Sequence, residues 1–386
     1  MEKIRRLLEI DLPAGQSAFL WGARKTGKST WLRQHFPDSK VYDFLKTDLR
    51  LDFIRHPALL REQLLANPAL AGNTPVILDE VQKVPALLDE VHGLIENHGF
   101  SFILCGSSAR QLKKGQANLL GGRAWRYEMF PLVSAELNNL DLLKALNHGL
   151  IPSHYLNNNP RRSLRAYVQD YLKEEIFAEG LTRNIPAFSR FFESMGYSHG
   201  ELTNYANIAR DCGVDAKTVK EYYQILVDTL LGSFVPPFRK RQNRQVISKA
   251  AKFYLFDVGV AGFLAAYNFQ EERGEQFGKA FEHFIYTELN AHRSYRELDY
   301  DINFWRTKTG LEVDFILGQG QVAIEVKGAR RVDKAELKAM HGFLEDNTVE
   351  RAIVVCNEST PRRAGKVDIM PWRQFLQELW EGEIIR

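Results

Sequence analysis

At residues 22–30 the sequence reads Gly-Ala-Arg-Lys-Thr-Gly-Lys-Ser-Thr, which follows the pattern G-x-x-x-x-G-K-[ST] of a phosphate-binding loop. An apolar run at 17–21, a predicted strand, precedes it, and 30–36 has the pattern of a helix. Glycines allow a tight turn that points successive backbone N–H groups at one anion. We expect Lys28 to reach the β- and γ-phosphates and Ser29 to ligate Mg²⁺. The predicted nucleotide contacts in this loop are Gly22, Ala23, Arg24, Lys25, Thr26, Gly27, Lys28, Ser29 and Thr30.

A second apolar run, at 75–78, ends in the adjacent acids Asp79 and Glu80. In a parallel sheet such a run carries both acids to the carboxyl edge, next to the phosphate loop. Asp79 can then hold the hydration shell of Mg²⁺, and Glu80 can orient and polarise a water molecule for attack on phosphate. The two motifs together predict that ATP or ADP binds with Mg²⁺ and that Glu80 is the catalytic base.

Five segments of the chain carry a resemblance to one family of P-loop proteins. They are the loop with Arg24, Leu78-Asp-Glu80 followed by Val84-Pro85, Cys105-Gly-Ser-Ser108, Leu120-Gly-Gly-Arg123, and Pro131-Leu-Val-Ser-Ala-Glu-Leu137. With them the chain resembles the bacterial and archaeal AAA+ ATPases that carry a DUF4143 C-terminal region, and the likeness extends over nearly the whole chain. It departs from the family at Cys105, where threonine is usual.

The resemblance implies roles for further polar residues. Either Ser107 or Ser108, at the end of a third apolar run, would contact water or the γ-phosphate as a sensor, and the other interpretation is a Gly-Ser turn. Arg123 would be an arginine finger that completes the site of a neighbouring subunit, and the other interpretation is an exposed surface arginine. The family resemblance therefore implies a homo-oligomer, with a hexamer favoured.

The composition is typical of a globular protein of two or three domains, since 45% of the 386 residues are hydrophobic and 26% are charged. A net charge of +3 neither requires nor excludes a nucleic-acid partner. The cysteines, Cys105, Cys212 and Cys356, lack zinc-ligand spacing and are expected to be free thiols of a reducing cytosol. No apolar run reaches the roughly eighteen residues of a membrane span, so we expect a cytoplasmic protein without a membrane segment.

The middle of the chain has a helical pattern at 152–198, followed by a predicted helix-turn-helix at 201–231. Asp215 is expected to cap the second of its helices. That helix would be the recognition helix, the one that enters the major groove of DNA. The residues expected at its exposed start are Lys217, Thr218 and Lys220.

A hairpin after the helix-turn-helix would complete a winged helix. Segments 234–238 and 245–249 are expected to pair as the two strands of this wing. The basic residues at its predicted tip are Arg239, Lys240, Arg241 and Arg244. Such a cluster suits the phosphate backbone of DNA, whereas the other interpretation is the solvated tip of a unit that serves packing alone.

The last third of the chain carries acids and a lysine in a recognisable order. Glu282 lies on a predicted helix, and Asp314 lies on a predicted hairpin around Gly310. Glu325 and Lys327 follow on one face of the next predicted strand. This order resembles the core of PD-(D/E)XK nucleases.

That second resemblance implies a metal site. Glu282, Asp314 and Glu325 would hold one or two Mg²⁺ ions, or Mn²⁺, and Lys327 would activate the attacking water. Two other interpretations remain open. The acids and the lysine can form a structural ion network, or the fold can serve as a binding module that does not cut, because fold does not imply function.

The sequence thus predicts an α/β protein of three parts. A P-loop NTPase (AAA+-like) parallel sheet occupies 1–150, a helical linker with a winged helix occupies 151–250, and an α/β PD-(D/E)XK nuclease-like domain occupies 251–386. The predicted function is Mg²⁺-dependent ATP hydrolysis coupled to DNA binding or remodelling, with metal-dependent endonuclease activity left open. The rival prediction is a nucleotide-switched regulatory or scaffold protein whose C-terminal fold only recognises a partner.

Overall fold

The computed structural model describes residues 4–13, 15–72, 74–108, 120–172, 184–239 and 250–386. Within these residues the chain forms two compact units. The P-loop unit contains the described residues of Leu8–Phe130 and Asp228–Leu231. The C-terminal unit contains those of Pro131–Val227 and Gly232–Arg386, with the residues before Leu8. No helix in the described ranges has both the length and the apolar character needed to cross a membrane.

These two units divide the chain differently from the predicted limits at 150 and 250. Helix Leu142–His148 packs against helix Val258–Leu264, and the Leu150 backbone N–H donates a 2.7 Å hydrogen bond to Asp257. Residues on both sides of 250 therefore share one hydrophobic core. As a result, the predicted linker region and the predicted nuclease-like region belong to a single compact unit.

The P-loop unit is built around a five-stranded sheet in which each neighbouring pair of strands is parallel. Its strands are Ser17–Trp21 (β1), Val41–Asp43 (β2), Val76–Asp79 (β3), Phe102–Gly106 (β4) and Ala124–Glu128 (β5), in the order β2-β3-β4-β1-β5. Its helices are Lys28–His35 (α1), Thr47–Arg55 (α2), Leu59–Leu65 (α3) and Leu87–His98 (α4), with 3₁₀ turns at Pro68–Leu70, Val81–Lys83 and Leu120–Gly122.

The central strands of this sheet are apolar because both of their faces are covered. Every residue of β1, β3 and β4 is buried, which confirms the predicted strands in this part of the chain. Parallel strands end at the same edge of a sheet. The ends of β1, β3 and β4 therefore carry the phosphate loop, Asp79 and Ser107 to one edge.

The C-terminal unit begins with helices. They are Leu142–His148 (α5), Pro152–Tyr155 (α6), Pro160–Ala166 (α7), Ile185–Ser198 (α8), Tyr205–Cys212 (α9) and Ala216–Asp228 (α10), with a 3₁₀ turn at Ser134–Glu136 and a π-helical turn at Tyr167–Leu172. Helix α9 ends at Gly213, whose φ of 66° is left-handed. Helix α10 is capped by Asp215, which accepts a 2.7 Å hydrogen bond from the Thr218 N–H. The two helices and the turn of the predicted helix-turn-helix are confirmed.

A two-stranded hairpin follows the helix-turn-helix. Its strands, Gly232–Val235 (β6) and Lys252–Leu255 (β7), are antiparallel. The strand that pairs with β6 is thus β7, which comes after the predicted segment 245–249. Residues 240–249, with Lys240, Arg241 and Arg244, lie outside the described residues, whereas Arg239 is described and exposed.

A six-stranded mixed sheet forms the rest of the C-terminal unit. Its strands are Ile302–Arg306 (β8), Glu312–Leu317 (β9), Val322–Lys327 (β10), Arg351–Cys356 (β11), Arg362–Ala364 (β12) and Val367–Pro371 (β13), in the order β12-β13-β11-β10-β9-β8. The helices around it are Val258–Leu264 (α11), Glu275–Tyr295 (α12), Lys338–Asp346 (α13) and Trp372–Glu381 (α14).

Helices cover both faces of this sheet. Ile324 of β10 packs in the same cluster as Phe284 of α12, and its neighbour Ala323 packs in the cluster of Phe343 of α13. Successive residues of a strand point to opposite faces, so the two clusters lie on the two sides of the sheet. The predicted helix with Glu282, the predicted hairpin with Asp314 and the predicted strand with Glu325 and Lys327 are confirmed.

Candidate functional site

The phosphate loop joins β1 to α1, and its glycines meet two separate needs. Gly27 has a φ of 104°, which side-chain-bearing residues rarely adopt. A Cβ atom at Gly22 would lie 2.4 Å from the backbone oxygen of Met129. The first of these glycines is needed for the turn, and the second for the close approach of a neighbouring backbone segment.

Lys28 lies inside the loop rather than on its surface. Its ammonium donates hydrogen bonds of 2.6 Å to the Gly22 carbonyl and 3.0 Å to the Ala23 carbonyl. The Thr26 hydroxyl donates to the same Ala23 carbonyl at 2.7 Å. These bonds hold a buried positive charge at the start of α1, where the helix dipole adds to it.

Ser29 and Asp79 meet at the end of β3. The Ser29 hydroxyl donates a 2.7 Å hydrogen bond to Asp79 Oδ2. The other oxygen, Oδ1, is buried and has no nitrogen or oxygen partner among the described residues. A hydroxyl and a carboxylate in contact, with one buried carboxylate oxygen left over, are the oxygen ligands that Mg²⁺ prefers, so these residues fit the predicted ion.

Glu80 is held by a residue that the sequence analysis did not single out. The Gln82 side-chain amide donates a 2.7 Å hydrogen bond to Glu80 Oε2 and a 3.1 Å hydrogen bond to the Ser107 hydroxyl. Arg24 adds an ion pair to the same Glu80 oxygen at 3.5 Å. The signal for Gln82 in the sequence is weak, because it is a polar residue two positions after Glu80 in a turn that also contains Lys83.

The other predicted residues of this unit lie in different environments. Ser107 and Ser108 are both buried at the end of β4. Arg123 immediately precedes β5, at the amino edge of the sheet and thus opposite the phosphate loop, and it pairs with Glu96. Lys25 and Thr30 are exposed. The structure therefore brings the loop, Asp79, Glu80 and the sensor serines together and keeps Arg123 apart from them.

The C-terminal unit brings its predicted acids together around a lysine. The Lys252 ammonium, on β7, lies 2.8 Å from Glu282 Oε1, 2.5 Å from Glu312 Oε1 and 3.8 Å from Asp314 Oδ1. The Tyr254 hydroxyl donates to the same Glu282 oxygen. The Lys252 side chain is only 3% exposed, so this is a buried ion cluster.

Glu325 and Lys327 share one face of β10, as predicted. Lys327 Nζ donates a 2.5 Å hydrogen bond to Glu325 Oε1, while Glu325 Oε2 is buried without a partner among the described residues. Asp314 Oδ2 accepts a 2.8 Å hydrogen bond from the Val326 N–H. The predicted convergence of Asp314, Glu325 and Lys327 is present.

Burial and mutual charge shift the pKa values of this cluster. Burial, together with the charges of Glu282 and Glu325, raises the pKa of Asp314 well above its usual range. Burial also raises the pKa of Glu325 to about 7, although Lys327 opposes the shift. Burial lowers the pKa of Lys252, but the surrounding acids and Tyr254 outweigh it and keep this lysine charged.

Comparison with known proteins assigns three consecutive parts of the chain. Residues 15–138 match the AAA domain family, 139–271 match a domain of unknown function (DUF8612), and 277–375 match a domain of unknown function (DUF4143). The chain carries a AAA-type P-loop domain and a C-terminal DUF4143 region. A AAA domain with a P-loop binds nucleotide, typically with Mg²⁺.

Several curated relatives are similar along most of the chain. Uncharacterized proteins of Mycobacterium tuberculosis and Mycobacterium bovis are each 25% identical over 349 residues, which cover 87% of this chain and 75% of theirs. One from Methanocaldococcus jannaschii is 22% identical over 393 residues, with 92% and 85% covered. The solved ORC1 protein of Aeropyrum pernix in complex with DNA is 12% identical and covers 66% of this chain and 87% of its own, but its TM-score of 0.27 is too low to carry an argument.

The family limits help to explain which residue the sequence analysis missed. We call Glu282, Glu312, Asp314 and Glu325 the carboxylate cluster. All four lie within the DUF4143 match. Lys252, in contrast, lies in the DUF8612 match, thirty positions before Glu282. Only the folding of β7 next to α12 and β9 brings this lysine to the acids.

The carboxylate cluster does not fit the metal site that the sequence predicted. Among the described residues, no group of three or more histidine, cysteine, aspartate or glutamate side chains is arranged to hold a metal ion. The physical reason is Lys252, whose ammonium stands within ion-pair distance of Glu282, Glu312 and Asp314. The described geometry is that of a lysine-paired ion cluster, and the metal site of Glu282, Asp314 and Glu325 stays a prediction.

Proposed function

We propose that the protein is a Mg²⁺-dependent ATP hydrolase. The observation that carries this proposal is the hydrogen bond of the Ser29 hydroxyl with Asp79. The buried Lys28 ammonium belongs to the same phosphate loop, and the path of that loop requires glycine at position 22. In this proposal Lys28 and the loop N–H groups bind the phosphates, and Ser29 and Asp79 hold the ion. Mg²⁺, when bound, neutralises charge on the phosphate oxygens.

Glu80 is the proposed base. Its carboxylate lies at the same sheet edge as the loop, and Gln82 and Arg24 fix its position. A carboxylate so held can accept the proton of a water molecule as that water attacks the γ-phosphate. Ser107, which is joined to Glu80 through Gln82, is the better supported of the two sensor candidates.

The enzyme test compares two substitutions. Lys28→Ala should abolish ATP binding, because it removes the charge that the phosphates meet. Glu80→Gln should bind ATP normally but turn it over at least about a hundredfold more slowly, since a positioned base contributes about 10²–10⁴-fold. Wild-type turnover by Glu80→Gln would refute the assignment of the base while leaving nucleotide binding intact.

We also propose that subunits complete one another's sites through Arg123, in a homo-oligomer for which the family resemblance favours a hexamer. The location of Arg123 at the sheet edge opposite the loop supports action in trans, because the length of β1 separates it from its own subunit's phosphates. Mixing Arg123→Ala with Glu80→Gln subunits should restore part of the lost turnover. A fully active monomer in light scattering would contradict the proposal.

We also propose DNA as the partner of the helix-turn-helix, which the antiparallel strands β6 and β7 follow in the chain. Lys217 and Lys220 are exposed at the start of α10, where a recognition helix contacts DNA. Replacing both with glutamine should weaken binding to all sequences alike and reduce the salt slope by roughly one per lost phosphate contact. An unchanged salt slope would show that Lys217 and Lys220 do not contact DNA phosphates.

A second candidate function is a nucleotide-switched regulatory or scaffold protein. The pairing of the carboxylate cluster with Lys252 favours it, since the acids are already neutralised. Incubation of plasmid and branched DNA with Mg²⁺, with and without ATP, separates the candidates. Cleavage that disappears in Lys327→Ala would establish a nuclease, whereas intact DNA together with ATP turnover would favour the regulatory function.

A further inference from the structure

The carboxylate cluster contains a cation of its own. Glu282 projects from α12, Glu312 and Asp314 from β9, and the ammonium of Lys252 enters between them from β7. We propose that Lys252 is the resident cation of this cluster and takes the position that a divalent metal would occupy, so that the cluster is complete without metal. Fold resemblance alone would assign this position to Mg²⁺.

Hydrogen bonds from β7 already occupy one of the two carboxylate oxygens of Glu282. A carboxylate oxygen has about two acceptor positions. Glu282 Oε1 receives one hydrogen bond from the Lys252 ammonium and another from the Tyr254 hydroxyl. This oxygen is thus fully used by two side chains of β7.

The net charge of the cluster also disfavours a bound divalent ion. Lys252, Lys327 and Arg306 face the four carboxylates of Glu282, Glu312, Asp314 and Glu325 in this cluster. Three cations against four acids leave at most one net negative charge. A divalent ion added to this arrangement would bring an excess positive charge into a largely buried place, which is costly.

Replacing Lys252 with a neutral residue should allow the carboxylate cluster to bind a divalent metal ion. Without the Lys252 ammonium, the oxygens of Glu282, Glu312 and Asp314 become available in one place, and the unpartnered Glu325 Oε2 lies in the same cluster. Removal of one positive charge also leaves the acids repelling one another. A neutral residue at 252 should therefore create a divalent-metal site in a protein that lacks one at this position.

The inference rests on the second candidate function, a regulatory or scaffold protein. A cluster whose acids are neutralised by lysine can recognise a partner without metal-dependent cleavage. Its test reads metal binding instead of DNA cleavage or ATP turnover. Failure of either proposed activity therefore leaves the result interpretable.

The experiment is a thermal-unfolding titration of the full chain with Mg²⁺ and Mn²⁺ in the absence of nucleotide. The proteins are the wild type, Asp314→Asn, Lys252→Met, and Lys252→Met combined with Asp314→Asn. The phosphate loop is the same in all four, so only shifts that depend on Asp314 report on this cluster. Lys279→Met serves as the control, since it removes a lysine that pairs with Glu201 and Glu275, outside this cluster.

We expect no Asp314-dependent shift in the wild type or in Lys279→Met. In Lys252→Met we expect a rise in Tm of about 3 °C or more at a metal concentration about ten times Kd, by mass action. The rise should disappear in the double variant. If Lys252→Met does not fold, Lys252→Gln, which keeps a hydrogen-bond donor, replaces it in the same comparison.

Two outcomes would overturn the inference. An Asp314-dependent rise in the wild type would mean that metal binds despite Lys252. A folded Lys252 variant that gains no metal binding would mean that the ammonium does not occupy a cation position. The wild-type measurement decides the first point whatever the variants do.

Discussion

The two charged sites of this chain use the same residue types in opposite ways. In the P-loop unit, Lys28 donates to backbone carbonyls, and Asp79 is contacted by two neutral groups, the Ser29 hydroxyl and the Cys105 thiol. In the C-terminal unit, Lys252 and Lys327 donate directly to carboxylates. The first arrangement keeps its lysine and its acid available for a ligand, whereas the second neutralises its acids internally.

This difference shows that a motif of acids and a lysine does not by itself specify a metal site. What matters is which acceptors the lysine ammonium donates to. A lysine that donates to backbone carbonyls keeps its charge available for an incoming anion, whereas the charge of a lysine that donates to carboxylates is already neutralised. Substitutions in both sites test this contrast.

The largest effect concerns the stability of the C-terminal unit. Lys252→Met should lower its free energy of unfolding by about 3–5 kcal/mol, because breaking a buried ion cluster leaves uncompensated charge. Chemical unfolding of the full chain, followed through the transition of this unit, measures the loss. The matched variant Lys327→Met, at a lysine whose side chain is 29% exposed, should lose clearly less. Equal losses would show that Lys252 is not the centre of the cluster.

A smaller effect is expected at Gln82 in the P-loop unit. Gln82→Ala should lower kcat for ATP about tenfold, equivalent to roughly 1.4 kcal/mol, because Glu80 loses a hydrogen bond that fixes it. The affinity for ATP should stay unchanged, since Gln82 contacts Glu80 and Ser107 rather than the loop. Gln63→Ala is the control, because this glutamine of α3 contacts Tyr42 and none of the proposed catalytic residues. A change in affinity with unchanged kcat would assign Gln82 to binding instead.

A third prediction uses a buried acid whose hydrogen-bond donors are all neutral. Glu288 accepts hydrogen bonds from the Ser134 N–H and hydroxyl and from the Trp380 indole N–H. Burial raises its pKa to about 7 from an ordinary 4.5. The folded protein therefore holds an extra proton between these values, so this stability is present below pH 4.5 and is lost as the pH rises through 7.

Glu288→Gln should remove this dependence. Between about pH 5 and 6.5 the wild type should lose up to roughly 1.4 kcal/mol of stability per pH unit relative to the variant. Burial lowers the pKa of His283 and of His292 to about 3 and about 4, which acts with the opposite sign but equally in both proteins. Parallel stability–pH curves would show that Glu288 does not carry the proton.

The sequence predicted most of the fold because its strands are short apolar runs that end in recognisable motifs. The runs at 17–21 and 75–78 stand next to the loop and the acid pair, so their parallel arrangement followed. The wing was predicted at 245–249, but β6 pairs with β7 instead. Both segments combine apolar residues with one lysine, and the sequence pattern alone does not separate them.

The candidate sites were predictable where the residues are close in sequence. The loop contacts form one motif, and Glu325 and Lys327 share a face through the two-residue period of a strand. Lys252 was missed because it reaches its acids only through tertiary packing, from a strand that no sequence motif marks. Gln82 was missed for a different reason, since a polar residue in a short 3₁₀ turn belongs to no motif with a fixed spacing.

The most direct test counts divalent ions on the whole chain. Mn²⁺ binding, measured by electron paramagnetic resonance with a non-hydrolysable ATP analogue present, should give one ion per chain. This ion should be lost in Lys28→Ala, which cannot bind the nucleotide, and retained in Asp314→Asn. A second ion that is lost in Asp314→Asn, or a single ion that survives Lys28→Ala, would contradict the contrast between an open nucleotide site and a lysine-closed carboxylate cluster.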